Sequence, residues 1–276
     1  MRIALLQGPA GSGGVAENLA LLKTTARDAA AAGARLLVTP EMFLTGYAIG
    51  AETVRRLAEP GDGPSAREVA RIARSIGLAV LYGWPELHDG SVYNAATLVD
   101  RDGHRLSTYR KTHLYGDVDT SSFQPGNGDF ATVALDDVQV GLLICYDIEF
   151  PETVRSLALA GADLVVVPTA LMLPYDVVAR TLVPARAYEN QVYVAYVNRT
   201  GHEADLEYCG LSCLVAPNGS DLVRAGAGEQ VVYADLDLAT LRASRVENSH
   251  LRDRRPDLYG ALVDAGHAPG PQRSAR

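Results

Sequence analysis

Residues 138–167 read VQVGLLICYDIEFPETVRSLALAGADLVVV. The apolar run Val138–Ile144 is a strand that ends on Cys145. Pro151 suits the first turn of a helix running to Leu159, and Gly161 stands just after it as a stop. Asp163–Val167 is a second apolar strand, closed by Pro168. Working outward, the same alternation recurs. Arg2–Gln7 reads as a short buried strand, Val15–Ala32 as a helix stopped by Gly33, and Ala34–Thr39 as a strand ended by Pro40. A helix from about Ser65 to Ile76 stops at Gly77 and precedes a strand at Leu78–Tyr82. Val92–Val99 and His104–Tyr109 flank Asp100-Arg101-Asp102-Gly103, and Thr132–Leu135 meets Val138–Ile144 across Asp136-Asp137; both are hairpin signals. Asp176–Asn190 reads as a helix and Val192–Val197 as a strand. Leu211–Ala216, the turn Pro217-Asn218-Gly219 and Val231–Leu236 predict a closing antiparallel set. Helices alternating with strands, with hairpins interspersed, predict an α/β fold: a mixed sheet system with helices packed outside.

The 276 residues carry 47% hydrophobic and 21% charged side chains, a globular mixture with ample material for a large core. A net charge of −8 gives no electrostatic reason for nucleic acid or an anionic membrane as partner. Three cysteines, Cys145, Cys209 and Cys213, are too few for a disulfide framework. The early apolar run Ile3–Leu6 is too short for a signal peptide, and no run is long enough to span a bilayer. A reducing, cytoplasmic setting is the expectation. Composition shifts only after about Ser249, so residues 1–249 are expected to form one domain and 250–276 a surface tail, possible material for a subunit interface.

Three polar residues stand directly after apolar, strand-like runs: Glu41 after LLVTP, Lys111 after LSTYR and Cys145 after VGLLI. Strand ends in α/β folds open toward the crevice where ligands bind. Taken singly, each has a bland reading, as a buried small hydrophobe, a helix-start carboxylate or a solvated loop lysine. Together they make a coherent chemistry. A thiol needs a base or a nearby cation to attack at neutral pH. A carboxylate can take its proton and later activate water, and an ammonium can stabilise an oxyanion, helped by a backbone N–H beside the nucleophile. The reaction implied is acyl transfer from an amide or nitrile carbon to sulfur, followed by hydrolysis.

The strings PEMFLTGY around Glu41, YRKTHL around Lys111 and GLLICYDIEFPE around Cys145 resemble those of the nitrilase superfamily of carbon–nitrogen hydrolases, as do RAYEN at 186–190 and the Pro217-Asn218-Gly219 turn. The likeness runs from about residue 2 to 240. It implies a four-layer α-β-β-α sandwich, paired as a homodimer or higher homo-oligomer, and no metal or organic cofactor. It implies Glu41 as general base, Lys111 as oxyanion donor and Cys145 as nucleophile. Many members carry a second glutamate after the lysine. Here the loop reads HLYGDVDTSSFQPG, so Asp119 is the candidate for that place, with Asp117 as the other.

Of the remaining polar residues, Glu152 suits a helix start, Arg186 and Glu189 suit a helical pair, and His113 a structural role. Tyr47, Tyr115, Asp117, Tyr146, Glu149 and Tyr175 fall near the motifs as candidate substrate-binding residues. Within the superfamily the chain looks most like bacterial aliphatic amidases of the 5-aminopentanamidase kind. That resemblance implies a short aliphatic, ω-amino or ω-guanidino amide as small-molecule substrate, with acids at Asp117, Asp119, Glu149, Asp176 or Glu207 to meet a distal cation. Nitrile or N-carbamoyl amine hydrolysis with the same triad is the alternative, and a non-catalytic binding protein on this scaffold is the second class.

Overall fold

The computed structural model describes residues 1–9 and 13–263. In chain order its elements are β1 (Arg2–Pro9), α1 (Val15–Ala31), β2 (Leu36–Val38), α2 (Ala51–Leu57), α3 (Pro64–Ile76), β3 (Ala79–His88), β4 (Ser91–Val99), β5 (Arg105–Arg110), α4 (Gly116–Thr120), β6 (Thr132–Leu135), β7 (Val138–Leu142), α5 (Pro151–Leu159), β8 (Leu164–Pro168), α6 (Val183–Asn190), β9 (Tyr193–Val197), β10 (Arg199–Glu203), β11 (Leu206–Cys209), β12 (Cys213–Val215), β13 (Asp221–Arg224), β14 (Gln230–Asp235) and α7 (Leu238–Glu247). Local chemistry sets the ends. Pro64 opens α3, and Gly77 closes it in the left-handed conformation at φ 75°, donating its amide to the Ala73 carbonyl. Asp237 caps α7 by accepting the Ala239 and Thr240 amides.

Two mixed sheets form. One runs β11-β10-β1-β2-β3-β4-β5, with β14 also on β1; the other runs β13-β12-β9-β8-β7-β6. Alternation along each strand divides its side chains between two faces. Ala4, Leu6, Leu37, Val80 and Tyr82 pack under Leu22, Ala26 and Ala29 of α1 and Val69, Ile72 and Ala73 of α3. Ile3, Leu5, Leu36, Val38 and Leu81 share the central core with Val138, Val140, Leu142 and Val166 of the second sheet. α5 and α6 cover the far face. Gly141 lies beneath α5, where a Cβ would stand 2.9 Å from the Leu157 methyls. The result is the expected four-layer sandwich, in one domain.

Two expectations are corrected. Val231–Leu236 does not close a set with Leu211–Ala216: β14 pairs antiparallel with β1, from Arg2 opposite Asp235 to Gln7 opposite Gln230, in the other sheet. Periodicity predicts a strand but carries no information about its partner. The 176–190 helix is broken: a π-helical turn at Val178–Leu182 precedes α6, with Pro184 in the first turn. The hairpin of β10 and β11, and the helices α2, α4 and α7, add to the expected elements. Of the 250–276 tail, residues 250–263 are largely exposed and hold two short 3-10 turns, Pro256–Leu258 and Gly260–Leu262; residues 264–276 lie outside the described residues. Among the described residues no helix is long and apolar enough to cross a membrane.

Candidate active site

The C-terminal ends of β2 and β5 in one sheet and of β7 and β8 in the other lie at the same end of the sandwich, joined by a bond from the Glu41 amide to the Thr169 carbonyl (3.4 Å). Glu41 follows β2 on a tight loop in which Met42 takes φ 51°. That loop lies directly on β3. At Gly83 a Cβ would stand 2.5 Å from the Met42 nitrogen, so only glycine allows the approach. Lys111 follows β5, its amide donating to the Asn94 carbonyl (2.8 Å) and its own carbonyl accepting from Gly126 (2.8 Å). Cys145 lies three residues beyond the end of β7, takes φ 47° and opens a 3-10 turn, Cys145–Glu149. A non-glycine residue in the left-handed region is a strained conformation that tertiary structure must hold.

Lys111 is wholly buried and bonds two wholly buried carboxylates: Glu41 Oε1 at 2.8 Å and Asp119 Oδ2 at 2.7 Å. Asn94 Nδ2 donates to the same Glu41 oxygen (2.7 Å), and the Tyr115 amide to the same Asp119 oxygen (2.8 Å). The other oxygens, Glu41 Oε2 and Asp119 Oδ1, are buried with no hydrogen-bond partner among the described residues. Burial raises the Glu41 carboxyl above its usual range, and Lys111 only partly offsets it. Lys111 is held firmly protonated, because its partner carboxylates outweigh burial. Cys145 is 9% exposed. Burial, then the Glu41 charge, push its thiol well above the usual thiol range, against the pull of Lys111, the Thr169 hydroxyl and the Ala170 amide. The resting sulfur is therefore a thiol, and it needs a base.

The Cys145–Glu149 turn is tied to the Lys111 segment by Asp147. This buried carboxylate accepts from the Ile144 amide (3.1 Å), the Tyr109 hydroxyl (2.9 Å), the Thr112 hydroxyl (2.7 Å) and the His113 amide (2.9 Å). His113 Nδ1 lies 2.9 Å from it, and the ring stacks on Phe150 at 3.9 Å, a structural placement. Arg186 donates to the carbonyls of Ile148 (2.9 Å) and Glu149 (2.8 Å), so it braces the same turn while pairing with Glu189.

The carbon–nitrogen hydrolase family model matches residues 2–246. The chain belongs to that family. It is 53% identical over 95% of its length to a hydrolase encoded in the pqqF 5′ region of Pseudomonas protegens, covering 92% of that protein. It is 42% identical to an (R)-stereoselective amidase from a Pseudomonas species, over 96% of this chain and 95% of that one. An amidase from Nesterenkonia sp. AN1, solved with butyramide, superposes with a TM-score of 0.83 at 34% identity, covering 95% of this chain and 97% of that one. Another structure of that amidase shows acrylamide added to its active-site cysteine.

In this carbon–nitrogen hydrolase of the nitrilase superfamily, the fold brings Glu41, Lys111, Asp119 and Cys145 to one end of the sandwich. Asp119, not Asp117, takes the place beside the lysine; Asp117 is exposed on α4. Tyr47 is buried, its ring 5.6 Å from Lys111 Nζ. Tyr115 meets Tyr146 edge-on at 5.3 Å and Tyr175 at 6.2 Å, and Tyr146 meets Phe150 at 5.0 Å. Glu149 is half-buried within the field of Lys111 and Arg186, and burial raises its carboxyl. Tyr175 is exposed, Asp176 is paired with Arg180, and Glu207 is exposed beside His202. Sequence reasoning passed over Asn94 and Asp147. Asn94 lies inside a strand that reads as core, and Asp147 was visible only as one of several acids after Cys145. The metal-ligand-type group found among the described residues is Asp100, Asp102 and His104. It is the β4–β5 turn, where Asp100 Oδ1 accepts the Asp102 and His104 amides.

Proposed function

We propose that the protein is an amidase that hydrolyses a short aliphatic amide to its carboxylic acid and ammonia through a thioester on Cys145. The observation that carries this is the wholly buried Lys111 ammonium shared by two carboxylates, with Glu41 Oε2 left unpartnered and a protonated thiol within the same electrostatic field. Glu41 takes the Cys145 proton as the sulfur attacks the amide carbon. The oxyanion that forms is stabilised by the Lys111 ammonium and the backbone N–H following Cys145. Glu41 returns the proton to the nitrogen, ammonia leaves, and the thioester remains. Glu41 then draws a proton from water, whose oxygen attacks the thioester, and the acid is released with the thiol restored. Asp119 holds Lys111 in place. The test is ammonia release from acetamide, propionamide and butyramide, with mass spectrometry for an acyl adduct; an adduct on Cys209 or Cys213 instead of Cys145 would refute the assignment.

An ω-amino or ω-guanidino amide is the favoured substrate within that class. Glu149 places a half-buried carboxylate within electrostatic reach of Tyr115, whose ring meets Tyr146, the kind of surround that receives an organic cation. A cationic amide should exceed its isosteric neutral analogue about tenfold or more in kcat/KM, because the neutral analogue leaves that carboxylate unpaired. Preference for neutral butyramide over every cationic amide would make the enzyme a general aliphatic amidase.

Leu159 on α5, Tyr188 on α6 and Leu258 and Leu262 beyond α7 are exposed, which supports the homodimer expectation; light scattering tests it. The three cysteines are free and buried, which supports a reducing, cytoplasmic setting.

A further inference from the structure

β10 carries two buried ionisable side chains that the mechanism above does not use, Arg199 and Glu203. Both reach across to the loop that bears Glu41. Arg199 donates to the carbonyls of Glu41 (Nε, 3.0 Å) and Met42 (Nη2, 2.6 Å). The Glu203 carboxylate accepts the Tyr47 amide (3.1 Å to either oxygen), the Ala48 amide (2.8 Å) and the Tyr208 hydroxyl (2.6 Å). One strand thus grips the loop at its start through carbonyls and further along through amides, with the cation on acceptors and the anion on donors.

Tyr47 links this grip to the chemistry. Its ring is buried and lies 5.6 Å from Lys111 Nζ, an ammonium already bonded to Glu41 and Asp119. A ring over a desolvated ammonium attracts it more strongly than in water and excludes solvent from it. The ring's position depends on the Tyr47 backbone, and that backbone is fixed by Glu203.

We propose that Glu203 is a positioning residue for the reaction: by holding the Tyr47 and Ala48 amides it keeps the Tyr47 ring against Lys111, and so keeps the Glu41–Lys111 pair dry and in register. The inference rests on the roles proposed for Glu41 and Lys111.

The test is a double-mutant cycle on the full chain with butyramide, using Glu203→Gln, Tyr47→Ala and the pair. Glu203→Gln should lower kcat about tenfold with KM within about twofold, the mark of an interaction that acts on the reacting groups rather than on substrate binding. Tyr47→Ala should do the same, and the double variant should be no worse than Tyr47→Ala within about twofold, since Glu203 acts through that ring. In both single variants the acid limb of kcat/KM should move to lower pH, because water reaching Glu41 relieves the burial that raises its carboxyl. Independent losses that multiply, a KM rise at unchanged kcat, or an unmoved acid limb would each overturn the proposal. Thermal melts accompany every variant. If Glu203→Gln fails to fold, Tyr208→Phe, which removes only the phenol's bond, should still lower kcat about two- to fivefold; an unchanged kcat there overturns the proposal. Full activity of Glu41→Gln would instead remove the proposed function itself, so the two failures are distinct.

Discussion

Arg110 and Lys111 are neighbours at the end of β5, and because successive side chains of a strand take opposite faces they end in different surroundings. Arg110 makes a forked pair with Glu86 at 2.6 and 3.2 Å and lies over the Tyr93 ring at 4.7 Å, with 28% of its side chain still in water. Lys111 has no exposure at all, nor have its two carboxylate partners. The outer pair is complete: both Glu86 oxygens are bonded. The inner cluster is incomplete, with one oxygen of Glu41 and one of Asp119 lacking a partner among the described residues. A buried charge cluster with open valences costs stability, so it persists where the reaction needs it. A complete pair, with both oxygens of its buried carboxylate bonded, is a clamp between strands.

The variants that should break this contrast begin inside. Cys145→Ala and Cys145→Ser should abolish turnover while the melting temperature stays near that of the parent; measurable ammonia release from either would show that another group is the nucleophile. Glu41→Gln keeps the size and most hydrogen bonds but removes the base, and should cost about 10²–10⁴-fold in kcat. Lys111→Ala should cost about 10²–10³-fold, the scale of one oxyanion donor, and it also leaves two carboxylates facing each other without a cation. Near-parental rates in either variant would mean that the inner cluster is another clamp. A pH profile sharpens the same point. Glu41 must be ionised to accept the thiol proton, and burial raises its carboxyl. Activity should therefore be lost, as pH falls, at a pH above the ordinary carboxylate range, with the acid limb absent from Glu41→Gln. The smallest effect on rate belongs outside: Arg110→Ala should change kcat by less than about threefold, although it leaves the buried Glu86 carboxylate unpaired and so lowers the melting temperature. A loss comparable to that of Lys111→Ala would erase the distinction.

Glu41, Lys111 and Cys145 were legible because each stands after an apolar run in a string specific to one superfamily. Asp119 was legible as one of two acids. Its choice over Asp117 came from α4, which turns one acid into the core and the other to solvent. Asn94 was hidden by its strand, since a polar residue within VYNAATLV looks like one unit of alternation until the opposite strand end delivers Glu41 to it. Asp147, in a 3-10 turn, and Glu203, at the end of β10, were hidden as well. Most of their partners, the Tyr109 and Thr112 hydroxyls and the His113 amide for Asp147 and the Tyr47 and Ala48 amides for Glu203, come from distant segments, and no spacing encodes those.

The amino-acid order alone determined the alternation of strands and helices, the family strings and the placing of Glu41, Lys111 and Cys145 after apolar runs, because periodicity and local motifs are written in the chain itself. The tertiary structure decided which strand β14 joins, which aspartate meets Lys111, that Cys145 rests as a thiol, and that β10 grips the Glu41 loop. Each of these depends on burial and on hydrogen bonds between residues far apart in the chain, and desolvation exists only once the two sheets have closed on each other.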